Sequence, residues 1–151
     1  MQPPQAASDS FGFLLGHTYR KLVHLLSYRL REYDLTTEQF AILYQLHFED
    51  GINQKEIALR TGKDQPTTTR ILDALIKKGL VEKRMCKTDR RAFLIFLTHA
   101  GQETAARTIP IEQETIRDAL TGMDEEKQKL IIELLLQVSA NVQQQIKQLQ
   151  I

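Results

Sequence analysis

Apolar residues recur at helical spacing over most of the chain. Between Ser8 and Glu32, Phe11, Leu15, Leu22, Leu25, Leu26 and Leu30 fall on one side with no proline among them, which predicts a long first helix. About 25 residues at 1.5 Å each would reach roughly 38 Å, long for a lone domain, so this helix is expected to dock on another surface. Residues 1–7 read as a loose tail. The run Thr36-Thr37-Glu38-Gln39 fits a capping box, followed by an apolar face of Phe40, Leu43, Tyr44 and Leu46. After a turn at Asp50-Gly51, Asn53 can cap a short helix, with Glu56 at the reciprocal position and Ile52 stapled to Ile57. Gly62 suits the left-handed residue that ends it.

The next helix begins near Pro66, with either Asp64 or Gln65 as its cap. Ile71, Leu72 and Leu75 make its inward stripe, and Gly79 ends it. Two short helices joined by a tight turn form a helix-turn-helix. Two strand-like runs follow, Leu80 to Met85 and Ala92 to Leu97, around the polar hairpin 86–91. A hairpin in that position is the wing of a winged helix. Thr98 can cap a helix to about Leu120, with Pro110 expected to kink or break it. Asp124 caps a last helix, where Glu125 and Glu126 suit the dipole. There Leu130, Leu134, Val138, Val142 and Ile146 recur every four residues, broadened by Ile131 and Leu135.

Of the 151 residues, 42% are hydrophobic and 26% charged, enough for a packed core and too little Gly and Pro for a disordered chain. No apolar run approaches a membrane span, and residues 1–10 lack the basic-then-apolar pattern of a signal peptide. One cysteine excludes an internal disulfide and a cysteine zinc cluster. A cytoplasmic protein is the expectation. The net charge of +1 hides an asymmetry: residues 53–91 hold 11 Lys and Arg against 5 Asp and Glu, the remainder 9 against 14. A positive block on a neutral body suits a polyanion.

On the second short helix, Thr68, Ile71, Leu72 and Leu75 share the inward side, and Pro66, Arg70, Asp73 and Lys77 the outward one, flanked by Thr67 and Thr69. Small hydroxyl residues near a helix N-terminus permit close approach to a groove, and an arginine can read guanine by two hydrogen bonds. Thr67, Thr69 and Arg70 are therefore the candidate major-groove residues, with Lys77 on the same side. At the hairpin tip, Lys87, Arg90 and Arg91 can reach a narrow, negative minor groove. Asp89 is expected to hold a neighbouring arginine in one orientation.

The stretches Thr67-Thr68-Thr69-Arg70-Ile71-Leu72-Asp73, Lys77-Lys78-Gly79-Leu80-Val81, Asp89-Arg90-Arg91 and Leu97-Thr98-His99-Ala100-Gly101 closely resemble the MarR family of bacterial transcription regulators. The order of elements agrees along nearly the whole chain. The resemblance implies a mainly α protein with a small β-hairpin wing. It would have an N-terminal dimerisation helix over 8–34, a winged helix-turn-helix DNA-binding domain over 35–98 and C-terminal dimerisation helices over 99–151. It further implies a homodimer on pseudo-palindromic double-stranded DNA, usually a repressor, often released by a small-molecule effector. By position, Thr67, Thr69 and Arg70 would face the major groove, Arg90 and Arg91 the minor groove or its phosphates, and Asp89 would orient a wing arginine. Gln65-Pro66 at the helix start departs from the small polar residues more usual there. No family-wide motif marks effector residues.

Other chemistry has weaker support. Lys83, Arg84 and Lys87 beside Cys86 would lower its thiol pKa, but a small strand-end residue is the plainer reading. None of His17, His24, His47 and His99 is paired at four-residue spacing, so no metal or other cofactor is expected. Tyr19, His24, Tyr33 and Tyr44 could line a ligand cleft, though core or dimer contacts are the plainer reading. No Gly-rich phosphate loop or nucleophile elbow is present, so an enzyme is not expected. The rival reading is a winged helix that docks on proteins without nucleic acid. A single-strand or RNA binder needs stacking aromatics, and Phe93 and Phe96 are expected to lie buried in their strand.

Overall fold

The computed structural model describes residues 10–89 and 91–149; the expected tail over 1–7, the helix start at Ser8 and the Arg90 site lie outside them. The described residues form α1 (Phe11–Arg29), α2 (Thr37–Phe48), β1 (Ile52–Asn53), α3 (Gln54–Thr61), α4 (Gln65–Lys77), β2 (Val81–Met85), β3 (Phe93–Leu97), α5 (His99–Ala119) and α6 (Glu125–Gln148). They divide into two compact units, parted between Thr115 and Ile116.

In the first unit, α1 is shorter than its periodicity suggests. Ser10 caps it, and after Arg29 the chain tightens into a 3-10 turn, Arg31–Tyr33, ending at Asp34 with a left-handed φ of 49°. No residue of α1 is buried. It is anchored at its end, where Leu26 and Leu30 meet the core and Arg29 donates to Thr115 of α5 at 3.1 Å. The capping box of α2 forms as its sequence predicts: Gln39 N–H donates to Thr36, and Thr36 N–H to Gln39. That of α3 forms by half. Asn53 accepts Glu56 N–H at 2.8 Å, but the Glu56 carboxylate turns to Arg60, 2.9 Å away and itself paired with Glu49. The guanidinium, a charged double donor, wins over one backbone N–H.

Asp50-Gly51 does more than turn the chain. Gly51 N–H donates to Ile95 and the Asp50 side chain accepts Leu97 N–H at 2.9 Å, adding β1 to the hairpin edge. The sheet order is β1-β3-β2, antiparallel throughout, with Ile52 opposite Ile95 and Val81 opposite Leu97. Beneath it, Leu43, Leu46, Ile57, Leu72, Leu75 and Ile95 are almost wholly buried, so helices α2 to α4 and the sheet share one core.

The cap of α4 is Asp64, whose side chain accepts Thr67 N–H at 2.7 Å. At the other end Gly79, with φ 75°, closes a Schellman motif through Gly79 N–H to Ile76 and Leu80 N–H to Leu75. There α4, β2, β3 and α5 meet. Thr98 N–H donates to the Leu80 carbonyl, the Thr98 hydroxyl donates to Gly79 at 2.6 Å, and the same oxygen accepts Gly101 N–H at 3.0 Å. Gly101 lies against Leu80 so closely that a Cβ there would stand 1.9 Å from the Leu80 carbonyl oxygen.

Helix α5 continues through Pro110, so of the kink or break expected there the break does not occur. The proline removes the donor for the Ala106 carbonyl, but both residues are exposed, so water can take its place, while buried Ala105, Thr108 and Ile109 hold the helix to the core. In the second unit, Asp124 caps α6 by accepting Lys127 N–H at 2.8 Å, and no residue of α6 is buried.

Replacing Gly101 with alanine should destabilise the fold by about 1–3 kcal/mol, because the new methyl meets backbone. Gly12→Ala, where nothing lies within 4 Å, should not; denaturant midpoints of the two variants check this. The Asp64 carboxyl is held below its ordinary 3.8, first by Thr67 N–H and then by the Thr67 hydroxyl. A depressed carboxylate stabilises the fold above its unfolded pKa and loses that effect as pH falls through the folded one. The stability gap between the wild type and Asp64→Ala should therefore be full at neutral pH and shrink below about pH 4, read by unfolding curves at stepped pH.

Candidate nucleic-acid interface

Helix α4 turns Thr68, Ile71, Leu72 and Leu75 into the core and leaves Pro66, Arg70, Asp73 and Lys77 exposed. This is the division its sequence predicts, and it follows from the 3.6-residue repeat. Thr67 and Thr69 sit half-buried at the border.

The hydroxyls of this helix start are already engaged. Thr68 donates to the Asp64 carbonyl at 2.8 Å and Thr69 to the Gln65 carbonyl at 3.0 Å, while Thr67 bonds the Asp64 carboxylate. Thr69 also accepts from the Gln54 side-chain amide of α3. A hydroxyl has one proton. With those protons directed inward, Thr67 and Thr69 offer an outside partner lone pairs and methyl groups: they suit an exocyclic amine or a thymine methyl better than a phosphate oxygen. Sequence reasoning misses Gln54, because its partner lies 15 residues away across the turn.

Arg70 and Lys77 stand on the exposed face of α4. Arg70 pairs with Glu38 of α2, Nη2 to Oε2 at 3.2 Å. The neighbouring Lys78 is structural: it donates to the Asp34 carbonyl and, at 2.8 Å, to Gln39 Oε1. It thereby ties the end of α4 to the start of α2. Glu38 and Gln39 carry no local signal of either contact, since the partners are 32 and 39 residues away.

In the wing, Lys87, Asp89 and Arg91 are all exposed. Asp89 Oδ1 accepts the backbone N–H of Arg91 at 3.0 Å, so its contact there is with main chain and shapes the turn. Further down, Arg84 is held by Glu82 and lies 4.3 Å from the Phe96 ring centre, leaving its cation committed to the hairpin itself. The expectation that Phe93 is buried fails: it is 48% exposed, opposite Met85 at the outer end of the ladder, where the hairpin has run past the core. The Cys86 thiol is pushed down by the Thr88 hydroxyl, 3.2 Å away, and then by the N–H groups of Thr88 and Asp89, against the charge of Asp89; the lysines and arginine nearby are not the cause.

The tyrosines and histidines scatter. Tyr44 lies between Phe40 and Phe48 along α2 with its ring tilted to both, Tyr33 packs on the core, Tyr19 is 64% exposed, and His17 stacks on Phe13. Among the described residues no group of three or more His, Cys, Asp or Glu could hold a metal ion, and no helix is long and apolar enough to cross a membrane.

Comparison with known proteins agrees with this architecture. The MarR family profile matches residues 35–93. The solved transcriptional regulator PA3341 is 34% identical, with a TM-score of 0.82 over 89% of this chain and 99% of that one. A MarR protein from Peptoclostridium difficile is 26% identical, with a TM-score of 0.84 over 96% and 94%. The transcriptional repressor CouR, solved bound to a 23-mer DNA duplex, is 26% identical, with a TM-score of 0.81 over 92% and 99%. With its winged helix-turn-helix matched by the family profile and a regulator at 34% identity covered almost end to end, this chain belongs to the MarR family of DNA-binding transcriptional regulators.

Proposed function

We propose that the protein binds double-stranded DNA at a pseudo-palindromic operator as a homodimer and acts as a ligand-responsive repressor in the cytoplasm. The observation that carries the DNA contact is the exposed row Pro66, Arg70, Asp73 and Lys77 on α4, accompanied by an exposed cationic wing. Thr67, Thr69 and Arg70 would enter the major groove, with Lys77 near the backbone. Lys87, Arg90 and Arg91 would meet the minor groove or its phosphates, with Asp89 shaping the turn that carries them. The likeness to CouR, a repressor solved on a duplex, supports this reading.

The homodimer rests on apolar surface that the chain itself does not cover. Leu130, Leu134, Leu136 and Val142 of α6 are each 50% exposed or more, and Phe11 and Tyr28 of α1 are 59% and 65% exposed. Such rows on soluble helices are covered by another protein surface, and a second copy supplies the same rows by symmetry. Two copies of α4 about 34–36 Å apart would meet successive major grooves. An effector acts only by binding one spacing better than another; its site is not assigned to residues.

Binding to duplexes titrated with salt tests the DNA contact. Log affinity should fall linearly with log salt, and Arg91→Ala should reduce the slope by about one unit. A chain that binds no duplex at low salt would instead be a protein-docking module, and an unchanged slope removes Arg91 from the phosphates. For the dimer, Leu130→Glu with Leu134→Glu in the full chain should sediment as a folded monomer where the wild type sediments as a dimer. A variant that stays dimeric places the interface elsewhere.

A further inference from the structure

Arg70, the main candidate for reading a base, is tethered. Its Nη2 donates to Glu38 Oε2 at 3.2 Å, and among the described residues Glu38 is its one ion-pair partner. Glu38 stands in the first turn of α2, where the cap is already complete through Thr36 and Gln39. The side chains are 69% and 41% exposed, and an ion pair so exposed adds little to stability. The helix dipole favours an acid in this first turn, but neither it nor fold stability accounts for the pairing with Arg70.

The chemistry of the partner explains it. Resting on the DNA-binding reading above, we propose that Glu38 is a specificity-determining positioning residue that acts through Arg70. An untethered arginine beside a duplex goes to the nearest phosphate, a contact that carries no sequence information. Reading guanine requires the guanidinium plane to be aligned with two acceptors on the base edge. Glu38 engages Nη2 alone, and the guanidinium, on a side chain 69% exposed, keeps further donors for a base. Its own charge also repels every duplex equally, so it lowers affinity for random sequence along with the rest. The two effects act together: weaker general adhesion and a pre-aligned reader.

The test uses the full chain and a site selected from random duplexes, and reads the ratio of affinities for that site and a scrambled one. Glu38→Ala should tighten binding to the scrambled duplex and lower the ratio about fivefold or more, the low end of what one bidentate arginine–guanine contact discriminates. Arg70→Ala should lower the ratio as well, and adding Glu38→Ala to it should lower the ratio no further. The thermal midpoint of Glu38→Ala should match the wild type, which separates positioning from folding. An unchanged ratio in Glu38→Ala, or an equal loss with and without Arg70, overturns the inference while the DNA-binding reading stands. A wild type that enriches no site overturns both.

Discussion

The Leu80 carbonyl is the point on which the winged helix turns. It follows the last turn of α4, accepts Thr98 N–H from the end of β3, and lies where a Cβ on Gly101 of α5 would stand 1.9 Å away. The Thr98 hydroxyl closes the same joint by donating to Gly79 and accepting from Gly101. The hairpin is thereby rooted at the C-terminal end of the helix whose N-terminal turns face outward. Two probes on different elements can address one ligand only if the angle between them is fixed, and this joint fixes it with three hydrogen bonds and a contact that excludes side chains. The residues that make it, Gly79, Leu80, Thr98 and Gly101, are among those that carry the family resemblance. Their role is to hold the proposed reading surface; none of them belongs to it.

On that surface, hydrogen-bond polarity matters as much as charge. Asp64 and Gln65 draw the hydroxyl protons of Thr67 and Thr69 inward, Gln54 donates to the Thr69 oxygen, and the remaining lone pairs and the methyl groups are left outside. Arg70 supplies the donors, under the hand of Glu38. A face with donors at one place and acceptors at another suits base edges, whose pattern alternates, better than a uniform run of phosphates. On the proposed reading, the cations that would meet phosphate without discrimination are those of the wing and Lys77.

Much of this is legible in the sequence, because caps and chain reversals are local. Thr36, Asn53 and Asp124 announce their helices, as do Gly62 and Gly79 the ends of theirs, since each acts on residues within one turn. The inward and outward faces of α4 follow from the helical repeat alone. What escapes the sequence is competition and distance. Glu56 is drawn from its expected cap by Arg60, and α1 ends early because Leu30 goes into the core and the chain tightens after it. The edge strand β1 depends on Asp50 reaching Leu97, 47 residues on. Glu38, Gln54 and Lys78 gain their roles from residues 15 to 44 positions away. Phe93 is misread because period-2 burial holds only as far as the core extends beneath the strand.

In the proposed homodimer the exposed apolar rows of α1 and α6 would be covered by a second copy, and the geometry of that pair would decide whether DNA is read at one place or two. The most direct measurement is a methylation-protection footprint of a selected duplex, read at guanine N7 for the major groove and at adenine N3 for the minor groove. The account predicts two major-groove patches about 10–10.5 base pairs apart, related by a pseudo-dyad, with minor-groove protection beside them. One isolated patch, or protection without dyad symmetry, would contradict it.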